Sequence, residues 1–113
     1  VFDNVKDHFT IMKEESFGPL VPLLTFKNFD EVIERANNND LGLCSYIYTN
    51  NLERANRASE LMETGCVAVN TAVVAVAEAP FGGIKQTGYG REGGSMAIKD
   101  YLNIKYTHFG ISY

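Results

Sequence analysis

Two amphipathic helical stripes, each set between short apolar runs, limit what this chain can fold into more than any other feature. Asn28 has the residue type of a helix N-cap, and Glu31 follows three positions later, a capping-box spacing with Asn in place of Ser or Thr. Phe29, Val32, Ile33 and Ala36 then fall at i, i+3, i+4 and i+7, one apolar stripe that ends at Asn37–Asn39 and Gly42. Asn50 and Glu53 repeat the cap spacing, and Leu52, Ala55, Ala58 and Met62 form the second stripe. Gly65 stands where a left-handed C-terminal cap is wanted. Leu20–Phe26, Leu43–Thr49 and Cys66–Val69 are the apolar runs around them, the first an edge or bulged strand because it contains Pro22. Short connections between alternating elements predict an α/β fold, a parallel β-α-β-α-β layer with helices packed on the sheet.

Beyond Asn70 the character changes. Thr71–Ala79 is mostly Ala and Val, and six of the ten glycines then crowd into residues 82–94. A short helix over Ser95–Tyr101 and a final strand over Leu102–Thr107 are expected to follow this Gly-rich loop. Gly88-Tyr89-Gly90-Arg91-Glu92-Gly93 has the letters of a dinucleotide-binding turn. That turn needs a buried strand directly before it, whereas Lys85-Gln86-Thr87 precedes it here, so no phosphate cradle is expected. Gly82, Gly83, Gly88 and Gly90 read instead as a tightly folded connector that lets backbone approach backbone.

A chain of 113 residues has the length of one domain, enough to hide roughly two-thirds of the surface its unfolded form exposes. Its net charge of −4 argues against nucleic-acid binding through a basic face. No apolar run approaches transmembrane length and no secretory signal is legible, which leaves no membrane role and the cytoplasm as the expected compartment. Cys44 and Cys66 lie in strand-like runs without metal-ligand spacing and read as free thiols; a disulfide between them would imply an oxidising compartment. His8 and His108 lack ligating neighbours, so no metal site is expected, and no Ser-His-Asp or Cys-His set can be assembled. The chain opens at Val1 inside what reads as the end of a strand, like a piece of something longer. Glu14-Glu15-Ser16-Phe17-Gly18-Pro19 could aim a carboxylate and a ring into one cleft, although from its chemistry alone it reads as a solvated acidic turn.

Taken together, four segments resemble the aldehyde dehydrogenase superfamily: Glu14 to Pro19, Ala36-Asn37 through Leu41-Gly42-Leu43, Gly65 to Asn70, and the long Ala79-Pro80-Phe81-Gly82-Gly83-Ile84-Lys85-Gln86-Thr87-Gly88-Tyr89-Gly90-Arg91-Glu92. Ala77-Glu78-Ala79-Pro80 and Asp100 to Tyr106 look most like the succinate-semialdehyde dehydrogenase branch. The resemblance implies that residues 1–101 are the C-terminal part of a catalytic (substrate) domain and that residues 102–113 are a strand and tail near an oligomer contact. It implies NAD or NADP as cofactor, with Glu15 hydrogen-bonded to the nicotinamide ribose and Phe17 beside the nicotinamide. It places Asn70, Ala75 and Phe81 on the substrate side, with the loop from Thr71 to Ala79 lining the aldehyde tunnel. Homo-oligomers, dimers or tetramers, are implied as well.

The departures from the family pattern matter as much. Its nucleophile is a cysteine in a Gly-Gln-x-Cys setting upstream of the Glu-Glu-x-Phe-Gly-Pro segment, and its general base is a glutamate further upstream. Neither occurs here, so no catalytic residue is expected in this chain and it is expected to be inactive alone. Ala75 stands where succinate-semialdehyde enzymes often carry Ser, which leaves glutarate semialdehyde or a broader aliphatic aldehyde open. The competing expectation is an autonomous, non-enzymatic α/β interaction module derived from the same fold.

Overall fold

In the computed structural model, which describes residues 1–111, helix α1 (Phe29–Asn37) starts where the capping pattern puts it. Asn28 is extended, and its side-chain oxygen accepts the Glu31 N–H at 2.9 Å. The Glu31 carboxylate accepts from Lys27 N–H at 2.9 Å, one residue outside the reciprocal bond of a standard box. That bond, followed by Arg35, holds the Glu31 carboxyl below its ordinary pKa. A lowered carboxylate pKa contributes stability at neutral pH that is lost as pH falls through it.

After α1 come strand β1 (Leu41–Gly42), strand β2 (Cys44–Ile47), helix α2 (Leu52–Leu61), strand β3 (Cys66–Val69) and strand β4 (Ile84–Lys85). Strands β2 and β3 pair in parallel, with Cys44 opposite Cys66 and Ile47 opposite Val69, and α2 is the crossover that packs against both. This βαβ unit is the second half of the predicted β-α-β-α-β layer; the strand expected before α1 does not join it. β1 and β4 form a separate antiparallel pair, with Leu41 opposite Lys85, which the sequence did not announce.

Several expectations need correction. The cap of α2 is Asn51, not Asn50: its side chain accepts the Arg54 N–H at 2.8 Å. Helix α2 ends at Leu61 with Met62 extended, so Gly65 caps nothing. A methyl at Gly65 would instead overlap the Gly82 carbonyl. The strand expected over Leu20–Phe26 shrinks to one parallel bridge, in which Phe2 N–H donates to Val21 O at 2.8 Å and Leu23 N–H donates to Phe2 O at 2.7 Å. Pro22 is the bridge residue itself, Val5 N–H donates to Leu23 O at 3.2 Å beyond it, and without an N–H Pro22 offers no bond to a strand on its other side. The helix at Ser95–Tyr101 is a 3-10 turn over Ala97–Tyr101. Residues 102–107 form no strand, because nothing among the described residues runs beside them to complete a hydrogen-bond ladder. Ser112 and Tyr113 of the expected tail lie outside the described residues.

Two polar hubs join the elements. The Arg35 guanidinium donates to Asp7 at 2.9 and 3.1 Å and to Thr25 O at 2.8 Å, fastening the N-terminal segment to α1. At the other end of α1, Asn37 Nδ2 donates to Leu61 O at 2.8 Å and Asn37 Oδ1 accepts from Glu63 N–H at 2.9 Å. Lys85 Nζ donates to Asn37 O at 2.7 Å and Asn39 O at 3.0 Å, and pairs with Glu63 at 2.7 Å. A cation at these terminal carbonyls suits the negative end of the helix.

The sizeable core expected from chain length is absent. Val5, Ala55, Ala58 and Ala68 are the buried apolar residues, and no large side chain among the described residues is fully buried. The accessible surface is 9376 Å², against about 6,200 Å² for a compact monomer of this mass. The radius of gyration is 19.5 Å, against about 13 Å for a compact domain of similar length. Leu52, Val73, Ile98, Leu102, Ile104 and Phe109 are all exposed. Apolar surface on this scale drives association. Run alone on a sizing column, the chain is expected to elute at a size that grows with concentration. A constant monomer peak across a wide concentration range would contradict that expectation.

Candidate functional site

In an open parallel layer, ligands bind beyond the carboxyl ends of the strands. At that edge the ends of β2 and β3 are clamped together by Asn70. Its Oδ1 accepts from Thr49 N–H at 2.9 Å and its Nδ2 donates to Thr49 O at 3.0 Å, while its own N–H donates to Ile47 O at 2.8 Å. The backbone of Asn70 is left-handed, φ 55°, a conformation Asn tolerates better than most residues. The chain therefore reverses here, and residues 71–79 leave from this edge.

That loop is held from behind by the Gly-rich segment. Gly94 N–H donates to Ala77 O at 2.9 Å, and a methyl at Gly93 would come within 2.9 Å of Ala79 O. Phe81 and Glu92 exchange two hydrogen bonds of 2.7 Å, closing residues 82–91 into a loop. Inside it, Arg91 Nη1 donates to Gly83 O at 2.9 Å and Arg91 N–H donates to the Asp100 carboxylate at 2.7 Å. A cavity of about 340 Å³ opens beside Phe81, Arg91, Asp100 and Tyr101. Gly88 and Gly90 have φ of 119° and 88°, but among the described residues only the 3-10 turn at Ala97–Tyr101 follows them, and no α-helix. The segment is a connector, not a strand–turn–helix phosphate site, as the sequence indicated.

The sequence-predicted residues divide into two groups. Asn70, Ala75 and Phe81 belong to the β3 edge and the loop that leaves it. Glu15 and Phe17 lie on a separate exposed turn after a 3-10 turn at Thr10–Met12, with Phe17 96% exposed. Among the described residues, no hydrogen bond connects the two groups. Glu15 also takes part in none of the ion pairs. The sequence reading missed Thr49 and Asp100. Neither has a spacing signal, since each acts through a partner remote along the chain.

The two cysteines of the chain are paired on β2 and β3. Both are free and half-buried. Burial, then the neighbouring Cys66, pushes the Cys44 thiol pKa up, whereas a reactive cysteine needs the thiolate. Among the described residues no group of three or more His, Cys, Asp or Glu gathers as a metal site, and no helix is long and apolar enough to cross a membrane.

Comparison with known proteins decides the relationship. Residues 1–107 match the profile described as the aldehyde dehydrogenase family. The chain belongs to that family. It is 49% identical over 110 residues to the 3-sulfolactaldehyde dehydrogenase of Pseudomonas putida, a match covering 97% of this chain and 23% of that protein. It is 48% identical over 101 residues to the succinate-semialdehyde dehydrogenase [NADP(+)] of Escherichia coli (strain K12), covering 89% of this chain and 21% of that protein. The structure of an aldehyde dehydrogenase from Bacillus cereus in complex with NAD+ superposes with a TM-score of 0.87 at 44% identity, covering 91% of this chain and 21% of that one. This aldehyde dehydrogenase chain thus spans about a fifth of the length of the relatives it matches.

The Asn70 clamp generates a test within this family member. Asn70→Gly keeps the left-handed backbone and loses the clamp, at a cost of about 1 kcal/mol for the lost hydrogen bonds. Asn70→Val loses the clamp and also strains the backbone, adding about 1–2 kcal/mol. Thermal midpoints are expected in the order wild type, Gly, Val.

Proposed function

We propose that residues 1–101 are the C-terminal part of the catalytic domain of an NAD(P)-dependent aldehyde dehydrogenase that oxidises a semialdehyde, foremost succinate semialdehyde, to the carboxylic acid. The observation that carries this reading is the continuous likeness, close to half of all positions, to dehydrogenases named for short anionic aldehydes. Residues 102–113 are assigned to the contact between subunits of a homo-oligomer. Leu102, Ile104 and Tyr106 alternate along one side of an exposed segment with no partner of its own, which suits a strand completed by another chain.

The residues present fit a nicotinamide cofactor. Glu15 is an exposed carboxylate outside every ion pair among the described residues, free to accept the hydrogen bonds of two ribose hydroxyls. Phe17 presents an almost fully exposed ring that can cover one face of the nicotinamide and exclude water there. The cofactor, when bound, supplies the hydride acceptor. Phe81 and the Ala/Val loop shape an apolar path for the aldehyde, and Asn70 fixes the strand end from which that loop departs. Asn70 acts through Thr49, because both ends of its amide are already engaged there.

None of these side chains supplies a nucleophile or a base. The thiolate and the general base belong to sequence outside residues 1–113, as the raised Cys44 pKa also suggests. An autonomous interaction module is the weaker reading, because a self-sufficient module would close its own core, and this chain leaves its apolar faces open.

Three measurements test the proposal. The 113-residue chain mixed with NAD or NADP and succinate semialdehyde is expected to yield no reduced cofactor. In the full-length protein, Glu15→Gln is expected to raise the cofactor KM about tenfold, the effect of weakening a charge-assisted hydrogen bond. The semialdehyde reading requires kcat/KM for succinate semialdehyde to exceed that for butanal. Equal values would remove it while leaving the dehydrogenase reading intact.

A further inference from the structure

Cys44 and Cys66 are direct register partners on the parallel strands β2 and β3. Directly paired residues carry their side chains on the same face of a sheet, and neighbouring strands lie about 4.8 Å apart. Disulfides bridge Cα atoms about 4.4–6.8 Å apart, a range that includes the spacing of directly paired strand residues. The Cys66 Sγ lies 3.8 Å from the Gly82 carbonyl oxygen. Both are half-buried, neither sealed in a core nor fully in solvent.

We propose that Cys44 and Cys66 form a dithiol modification site that a small-molecule disulfide oxidises to an intramolecular cross-strand disulfide. Cys66 attacks first: its thiolate displaces one half of the small disulfide, and the departing thiolate takes up the proton that Cys66 lost. The Cys44 thiolate then attacks the Cys66 sulfur of the mixed disulfide and expels the second half, which takes up the Cys44 proton. Two protein S–H bonds and one small S–S bond are broken; one protein S–S bond and two small S–H bonds are formed. The order follows the thiols' surroundings, since burial and its neighbour disfavour the Cys44 thiolate. The product would join β2 and β3 at their N-terminal ends, opposite the Asn70 clamp at their C-terminal ends. The site does not depend on the dehydrogenase reading, because neither thiol has a role in it.

The test uses the full-length protein, oxidised glutathione and non-reducing peptide mapping. Trypsin cuts after Arg54 and Arg57, so the two cysteines fall in separate peptides, residues 36–54 and 58–85. The expected result is one linked pair of these peptides, lost on adding dithiothreitol and formed about tenfold faster in native buffer than in urea, because the fold holds the reactants together. Cys44→Ser is expected to stop at a stable glutathione adduct on Cys66. Unmodified peptides, adducts on both cysteines of the wild type, links between chains, or a rate in urea equal to the native rate would each overturn the proposal.

Discussion

The arrangement of this chain depends on one polar junction where both helices end. Asn37 binds the last turn of α2 with its side chain, accepting from Glu63 N–H at 2.9 Å and donating to Leu61 O at 2.8 Å. Lys85 reaches in from β4 to Asn37 O and Asn39 O and closes on Glu63. Each bond alone is modest, and a half-exposed ion pair is worth little. Together they tie α1, α2 and β4, elements the small apolar core does not join. Lys85 adopts φ 55° to make these contacts, a conformation that costs an L-residue roughly 1–2 kcal/mol. That cost is sustained because the contacts over-determine the position. With β4 held there, the Gly-rich loop behind it is held too, and with it the path of residues 71–79.

A small core and a well-determined edge are not in conflict. The buried apolar side chains among the described residues are three alanines and a valine, so α2 approaches the sheet closely while contributing little apolar area. Local geometry is instead set by hydrogen bonds: the Asn28 and Asn51 caps, the Asn70 clamp, and the Phe81–Glu92 exchange. Such bonds orient elements well and stabilise them weakly. A chain of this kind has well-set local geometry and little core of its own, and it matches about a fifth of the length of its aldehyde dehydrogenase relatives.

What could be read from the sequence follows the range of the physics. Helix α1, its Asn28 cap and strand β3 depend on neighbours a few residues away, and the pattern shows them. The α2 cap fell one residue off because Asn50 and Asn51 are the same residue type, and only geometry separates them. The strands at residues 20–26 and 102–107 failed for opposite reasons. Pro22 confines the first to a sheet edge, and the second runs beside no strand among the described residues. The β1–β4 pair was invisible, since two-residue strands carry no period. At the site, Asn70 was found through a motif, but its partner Thr49 was not, because a clamp across two strands leaves no spacing to read. Glu15 and Phe17 carried no signal beyond the motif, and their own chemistry suggested only a wet turn.

Gly65 meets Gly82 backbone to backbone across 16 residues of intervening chain, with no room for a methyl between them. The two positions therefore cannot drift separately. A side chain at Gly65 would have to push away the strand-to-loop crossing at Gly82, where the Phe81–Glu92 bonds begin. Any lineage that gained bulk there would need to rebuild the whole connector in the same step. The contact thus acts as a ratchet on sequence divergence, set by steric exclusion and not by any role in chemistry.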